Sequence, residues 1–331
     1  MSQAPLFFSI LTPTWNRAAY LHRVYDGLAA QTYRNFEWIV ADDGSMDDTG
    51  PVIRRLAALA DFPVTYIRAD RHVGKIRMDN AAVRQARGRF ILWCDSDDWL
   101  LPVALQRLRD TWESIPEDQR EGYVGVAALA ATEQGCIVNP FPDDPYRDVS
   151  WNDLAELHGV TGDMLYCARA EALKASPFPE VDLLIPESVV WTAIGHQPAR
   201  LIPEVLQIKE YQAVHAVSFS GVMAYNRGRA HALASTVKNL CGHRRPWKTG
   251  AWWLITFIRY SLHGELTLAE ARRLWGENSS TLGYALAYPL ALGLAVKDRI
   301  QGKVRPTHRE FLASQTSARL TVECLNERRC V

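Results

Sequence analysis

The chain has no excess of either charge: Lys plus Arg number 37 and Asp plus Glu number 37 among 331 residues. No global field draws it to nucleic acid or to a membrane, so any basic surface must be local. It also lacks a CxxC pair and any metal-finger spacing. Its six cysteines stand at 94, 136, 167, 241, 324 and 330, several inside apolar runs where a free thiol acts as a small hydrophobe. That usage suits a reducing cytosol better than secretion. No run of about 20 apolar residues is present, so no bilayer span is expected. Residues 1–5 carry no basic region and the apolar run 6–11 is too short for a signal peptide. These absences point to a cytoplasmic protein. Repeats and low-complexity tracts are missing too. No GxGxxG follows a first strand, which removes a dinucleotide dehydrogenase. A nucleotidyltransferase would need a glycine-rich loop near the start, and Leu11-Thr12-Pro13-Thr14 is unlike one.

What is present is most concentrated in Phe90-Ile91-Leu92-Trp93-Cys94-Asp95-Ser96-Asp97-Asp98-Trp99. An apolar run that reads as a buried strand ends in three carboxylates within four residues. Carboxylates repel one another and are costly to desolvate, so their clustering asks for a cause. A hard divalent cation is one, since oxygen ligands hold it and it can in turn grip a diphosphate. A solvated turn with a helix cap is the other.

The first hundred residues alternate between two periodicities. Short apolar runs at 7–11, 36–41, 64–67 and 90–94 read as strands. Residues 17–31, the segment after Asp48 and residues 75–86 read as helices. Such alternation predicts βαβ units and a mostly parallel sheet, with ligands beyond the carboxyl ends of its strands. The polar clusters Thr12-Pro13-Thr14, Asp42-Asp43 and Asp95 to Asp98 all fall at those ends. Further strands are expected at 123–128, 164–168 and 199–208, and a helix near Pro186. From Ser218 onward the chain reads as almost entirely helical.

Taken in order, these pieces resemble the family 2 inverting glycosyltransferases of the GT-A fold. The first is Ser9-Ile10-Leu11-Thr12-Pro13-Thr14-Trp15-Asn16-Arg17. The second is Gln31-Thr32-Tyr33-Arg34-Asn35-Phe36-Glu37-Trp38-Ile39-Val40-Ala41-Asp42-Asp43-Gly44-Ser45. Asp95-Ser96-Asp97-Asp98, preceded by Ala86-Arg87-Gly88, is the third. The resemblance covers about residues 7–210. It implies an α/β GT-A catalytic domain over 1–215, split into a nucleotide-sugar half (1–100) and an acceptor half (101–215). A helical region follows at 216–331.

The resemblance also assigns roles. Thr12, Pro13 and Thr14 would offer groups to a base and ribose, and Asp43, with Asp42 beside it, would accept from a uracil N–H. Lys75 and Arg77 would reach the base or diphosphate; read alone, they are an exposed helix start. Asp97 would hold Mn²⁺ or Mg²⁺. Asp95 would share that cation or contact the ribose beside Ser96, and His215 is a late-histidine candidate for the same metal site. Glu187, in Ile185-Pro186-Glu187-Ser188, would be the base that takes the acceptor's proton, with Asp163 as runner-up. Family members often carry two acids there, whereas this chain has Pro-Glu-Ser. The implied partners are a UDP-sugar donor and a glycan or lipid-linked glycan acceptor. A non-catalytic sugar-nucleotide or glycan-binding protein on the same fold is the alternative, and the intact carboxylates weigh against it.

Beyond residue 240, aromatic stretches sit among basic residues: Trp252-Trp253 after Arg244-Arg245, and the apolar run 282–296 before Lys297, Arg299, Lys303 and Arg305. That pattern suits peripheral contact with an anionic membrane, and equally a helical subdomain or a dimer interface.

Overall fold

The computed structural model describes residues 5–138, 148–157, 163–210, 225–240, 247–276, 280–305, 307–315 and 318–326. It divides into two units, Met1–Pro177 with Ile194–Val214 and Ala318–Val331, and Phe178–Ala193 with His215–Ser317.

The first unit opens with three strand–helix repeats: β1 (Phe8–Thr14), α1 (Leu21–Ala29), β2 (Phe36–Asp42), α2 (Thr49–Leu59), β3 (Val64–Ala69) and α3 (Lys75–Gln85), then β4 (Phe90–Trp93). Every residue of β1 and β2 is buried, as expected of parallel strands covered on both faces. β5 (Trp99–Leu100), α4 (Ala104–Glu113), β6 (Gly125–Thr132), β7 (Asp148–Ser150), α5 (Trp151–Leu157), β8 (Leu165–Arg169), α6 (Ala170–Ala175) and, after α7 (Ser188–Ile194), β9 (Pro198–Lys209) extend it. With β10 (Leu320–Cys324) at one side, the strand order is β10-β3-β2-β1-β4-β8-β6-β9-β5, with β7 against β9.

β3, β2, β1 and β4 are mutually parallel. Moving outward from β1 to β3 and then back to β4, right-handed crossovers put α1 and α2 on one face and α3 on the other. The packing agrees. Phe8, Ile10, Trp38, Val40, Tyr66 and Leu92 share a core with Leu21, Leu28, Ile53 and Leu56. Alternation turns Leu11, Ile39 and Ile67 to the opposite side. Register sets Thr14 opposite Asp42 and Leu11 opposite Trp93. The loops after β1, β2 and β4 therefore meet at one edge.

The opposite edge of these strands buries Glu37. Its carboxylate accepts from the Ser9 hydroxyl (2.6 Å), the Arg87 backbone N–H (2.7 Å) and Arg87 Nε (2.8 Å). The Ser9 oxygen in turn accepts from the Gly88 N–H at 2.8 Å. A buried charge provided with donors in this way is tolerated.

The second unit holds α7 residues with α8 (Asn226–Asn239), α9 (Trp247–His263), α10 (Leu268–Trp275), α11 (Thr281–Ile300) and α12 (Thr307–Gln315). Ala230, Ala234, Leu254, Phe257, Ile258, Trp275, Tyr284 and Ala291 form its core. A Thr267–Glu270 capping box starts α10. The tail, expected to be almost entirely helical, is so among the described residues apart from its end, where β10 pairs antiparallel with β3. Its alternating residues fit an edge strand, a pattern too short to stand out beside long helices. The units also differ from a division at 215/216, since Phe178–Ala193 groups with the helices and Ala318–Val331 with the sheet. No described helix is long and apolar enough to cross a membrane. The four described cysteines that are free are Cys94, Cys136, Cys167 and Cys324.

Candidate active site

The shared edge of β1, β2 and β4 begins with the β1 loop. Thr12 is buried and its hydroxyl accepts from Trp38 Nε1 at 2.9 Å. The Thr14 carbonyl accepts from the Asp43 N–H at 2.9 Å, while the buried Thr14 Oγ1 has no hydrogen-bond partner among the described residues. Trp15 follows, 41% exposed and stacked on His72 with ring centroids 4.1 Å apart.

The β2 loop is pinned by its own carboxylates. Asp42 accepts from the Ser45 N–H (2.9 Å) and the Tyr66 hydroxyl (2.6 Å). Burial, then that bond to Asp42, pushes the Tyr66 phenol well above its usual value. Asp43 Oδ1 accepts from the Val73 N–H at 2.6 Å, its Oδ2 from the Gly74 N–H at 2.9 Å, and His72 Nδ1 lies 2.9 Å from Oδ2. A base that used Asp43 would share it with the 72–74 loop. The close approach requires glycine: at Gly44 (φ +70°) a Cβ would fall 2.2 Å from the Arg71 carbonyl carbon.

After β4 the three carboxylates diverge. Asp98 is buried, accepts from the Glu210 N–H at 3.1 Å and lies 3.0 Å from Lys209 Nζ. Burial pushes its pKa up to about 7, against the pull of Lys209. Asp97 pairs with Arg17 at 3.4 Å. Burial and then the Asp95 charge raise its pKa, and Arg17 offsets only part of this. Asp95 is the most open, with 36% of its side chain exposed, 4.0 Å from Lys75 and 3.7 Å from Lys209. Burial would raise it, but Lys75 and then Lys209 hold it below the ordinary carboxylate range. Ser96 between them is buried.

Lys75 is anchored to Asp79 at 3.0 Å, and Asp79 accepts from Trp93 Nε1 at 3.0 Å. Arg77 is half-buried two residues further along α3, on another face of the helix. Among the described residues no three His, Cys, Asp or Glu side chains are arranged to hold a metal ion. What remains is a pair, Asp95 and Asp97. Two carboxylates fit a cation that takes its other oxygens from phosphate and water, the habit of Mg²⁺ in phosphate sites.

The structure thus brings Thr12, Pro13, Thr14, Asp42, Asp43, Lys75, Asp95, Ser96 and Asp97 to neighbouring strand ends, loops and a helix start of one unit. Asp163 is exposed, with its carboxylate 3.9 Å from Lys209. Glu187 belongs to the other unit, exposed just ahead of α7, its carbonyl accepting from the Val190 N–H at 3.0 Å. His215 lies outside the described residues. Sequence reasoning misses Arg17, Lys209 and the Trp15–His72 stack. Lys209 carries a usable signal, as a cation at the carboxyl end of a strand. Arg17 does not, since only the fold sets it against Asp97.

Residues 9–120 match the sequence profile of glycosyl transferase family 2. Over 118 residues the chain is 31% identical to the GalNAc(5)-diNAcBac-PP-undecaprenol beta-1,3-glucosyltransferase of Campylobacter jejuni, covering 36% of each protein. Over 95 residues it is 32% identical to the poly(ribitol-phosphate) beta-N-acetylglucosaminyltransferase TarS of Staphylococcus aureus, covering 28% of this chain and 16% of TarS. The chain thus spans about a third or less of the length of these curated relatives. The crystal structure of S. aureus TarS 1-349 in complex with UDP-GlcNAc superposes with a TM-score of 0.59 at 17% identity, over 93% of this chain and 88% of that one. That likeness is one of fold.

Proposed function

Residues 9–120 are a glycosyl transferase family 2 domain on a GT-A sheet, and from that premise we propose that the chain is an inverting glycosyltransferase. It moves a sugar from a UDP-sugar to a hydroxyl of a glycan or lipid-linked glycan, in the building of a cell-surface polysaccharide. One observation carries the reading: Thr14, Asp43, Asp95 and Asp97 lie at the carboxyl ends of parallel strands or in the loops just after them, at a single edge. The named donor of the TarS complex and the lipid-linked acceptor in the Campylobacter name support the choice of partners. They are properties of those proteins. The free cysteines fit action in the cytoplasm.

The exposed Trp15 face, backed by His72, is the surface for the base, with the unpartnered Thr14 hydroxyl beside it. Lys75 and Arg77 would reach the base or the diphosphate. Asp97, with Asp95, would hold Mn²⁺ or Mg²⁺, which when bound supplies Lewis-acid neutralisation of the leaving diphosphate. His215 is the candidate third ligand.

Transfer forms a bond from the acceptor oxygen to the anomeric carbon as that carbon's bond to the diphosphate oxygen breaks. The bonding electron pair leaves with UDP. The acceptor hydroxyl is too weak an acid to ionise at neutral pH, so its proton passes to the Glu187 carboxylate as attack proceeds.

Calorimetry of UDP binding with and without Mn²⁺, paired with transfer assays on Glu187→Gln, tests this. The variant should bind UDP as the parent does and lose transfer by a factor on the order of 10² to 10⁴. Near-normal turnover would move the base elsewhere. Absence of UDP binding under any metal would leave the fold and remove the donor assignment, favouring a non-catalytic binding protein.

A further inference from the structure

α11 is built inside out. Its exposed residues from Leu282 to Val296 carry no charge, and Leu282, Leu286, Leu290, Leu292, Val296 and Ile300 are each between 43% and 81% exposed. At about 100° per residue, all six fall within roughly 80° of the direction of Leu282, one continuous stripe some 27 Å long. The opposite face is already used: Tyr284 and Ala291 pack with Leu254, Phe257 and Ile258 of α9. The helix has one acid, Asp298, and it is turned inward. Arg259 binds it through Nε at 2.6 Å, and His263 Nε2 lies 3.0 Å from it.

Exposed cations gather at one end only. Lys297 and Arg299 close the helix, and Lys303 and Arg305 follow it. Among the described residues none of the four is ion-paired. Extended apolar patches on a soluble surface mark a place where something binds. A second copy of this chain would bring leucines but no acid, because the face from Thr281 to Val296 has none and Asp298 is enclosed. Paired copies would leave the four cations unanswered. An anionic lipid surface answers both features at once, taking the leucines into the headgroup boundary and the cations among its phosphates.

We propose that the exposed face of α11 docks the protein on an anionic lipid surface, lying along it. Crossing the bilayer is not involved, since no described helix is long and apolar enough. The docking rests on none of the donor-site residues, so either reading can fail without the other. Its relation to the proposed function is one of access, since an acceptor on a lipid carrier is presented at such a surface.

The experiment is flotation of the whole chain with phosphatidylcholine vesicles, with or without phosphatidylglycerol. The parent should float with the anionic vesicles, and binding should fall about tenfold or more near 1 M salt, where the screening length is ~3 Å. L286E/L290E should abolish flotation while keeping the thermal transition and UDP affinity of the parent. K297E/R299E should lose the preference for phosphatidylglycerol. A parent that floats with neither vesicle overturns the proposal even if a variant misfolds, as does flotation indifferent to salt and to K297E/R299E. A dimer seen by light scattering, dissolved by L286E/L290E in a protein that ignores vesicles, would assign the face to a second copy.

Discussion

Two groups of buried acids sit at opposite ends of the same parallel strands, and they are treated differently. At the amino edge Glu37 meets a hydroxyl, a backbone N–H and a guanidinium, all within 2.8 Å. At the carboxyl edge Asp95, Asp97 and Asp98 crowd into four residues with looser cations, between 3.0 and 4.0 Å away. The first group is finished without a ligand. The second keeps Asp97 and Asp98 above their ordinary pKa, a sign that negative charge there is incompletely answered. Perturbed carboxylates in an edge where parallel strands end mark a functional site, while a satisfied one marks structure.

Substitution should separate the two. The largest effect is expected from Asp97→Ala. Turnover should fall by on the order of 10² or more, the several kcal/mol that Lewis-acid stabilisation supplies. Calorimetry should find the Mn²⁺-dependent part of UDP binding gone and the melting temperature near that of the parent. Unchanged metal dependence would break the comparison at its functional end. Next is Glu37→Ala, which leaves the Arg87 guanidinium and the Ser9 hydroxyl without their acceptor. The Arg87 side chain is 46% exposed and regains water, so the cost is that of leaving the buried Ser9 hydroxyl and its neighbouring N–H without an acceptor, about 1–3 kcal/mol. Urea melts should show that loss, while the UDP affinity of the folded fraction stays unchanged. A loss under about 1 kcal/mol, the range of an exposed pair, would mean that the amino-edge cluster is no better satisfied than a surface one.

Much of this architecture is legible in the amino-acid sequence. The strand–helix alternation of residues 7–94 is readable because each element is short, strongly patterned and closed by a turn. The meeting of Thr12–Thr14, Asp42–Asp43 and Asp95–Asp97 follows from the rule that parallel strands gather their carboxyl ends. Hydrogen-bond direction is not legible. Asp42 and Asp43 read as free acceptors, yet their oxygens serve Ser45, Tyr66, Val73 and Gly74, because loops this close must satisfy their own N–H groups first. The placement of Arg17 and Lys209 is equally hidden, for they reach Asp97 and Asp98 from distant parts of the chain. β10 escapes because pairing with a distant β3 leaves no local periodicity beyond a single short strand.

The two units should also answer acid in opposite senses. In the sheet unit Asp98 has its pKa raised to about 7 by burial, against the pull of Lys209. An acid raised on folding favours the fold when protonated. Its contribution is therefore fully present below the unfolded value near 3.8 and is lost as pH rises toward about 7. In the helical unit His231 is lowered from 6.5 to about 4 by burial and then by Arg227. A base lowered on folding favours the fold when neutral. That contribution is present above 6.5 and is lost as pH falls toward about 4. Between these limits, acidification should protect the sheet and loosen the helices. Hydrogen exchange in metal-free protein at about pH 4.5 and about pH 6.5 would read each unit separately, with slower exchange expected in β4 and β9 at the lower pH and faster exchange in α8. Asp98→Asn should flatten the first trend and His231→Gln the second. Both units moving in the same direction would mean that these two groups do not govern the balance. It would also weaken the view that the carboxyl edge holds its charge unanswered.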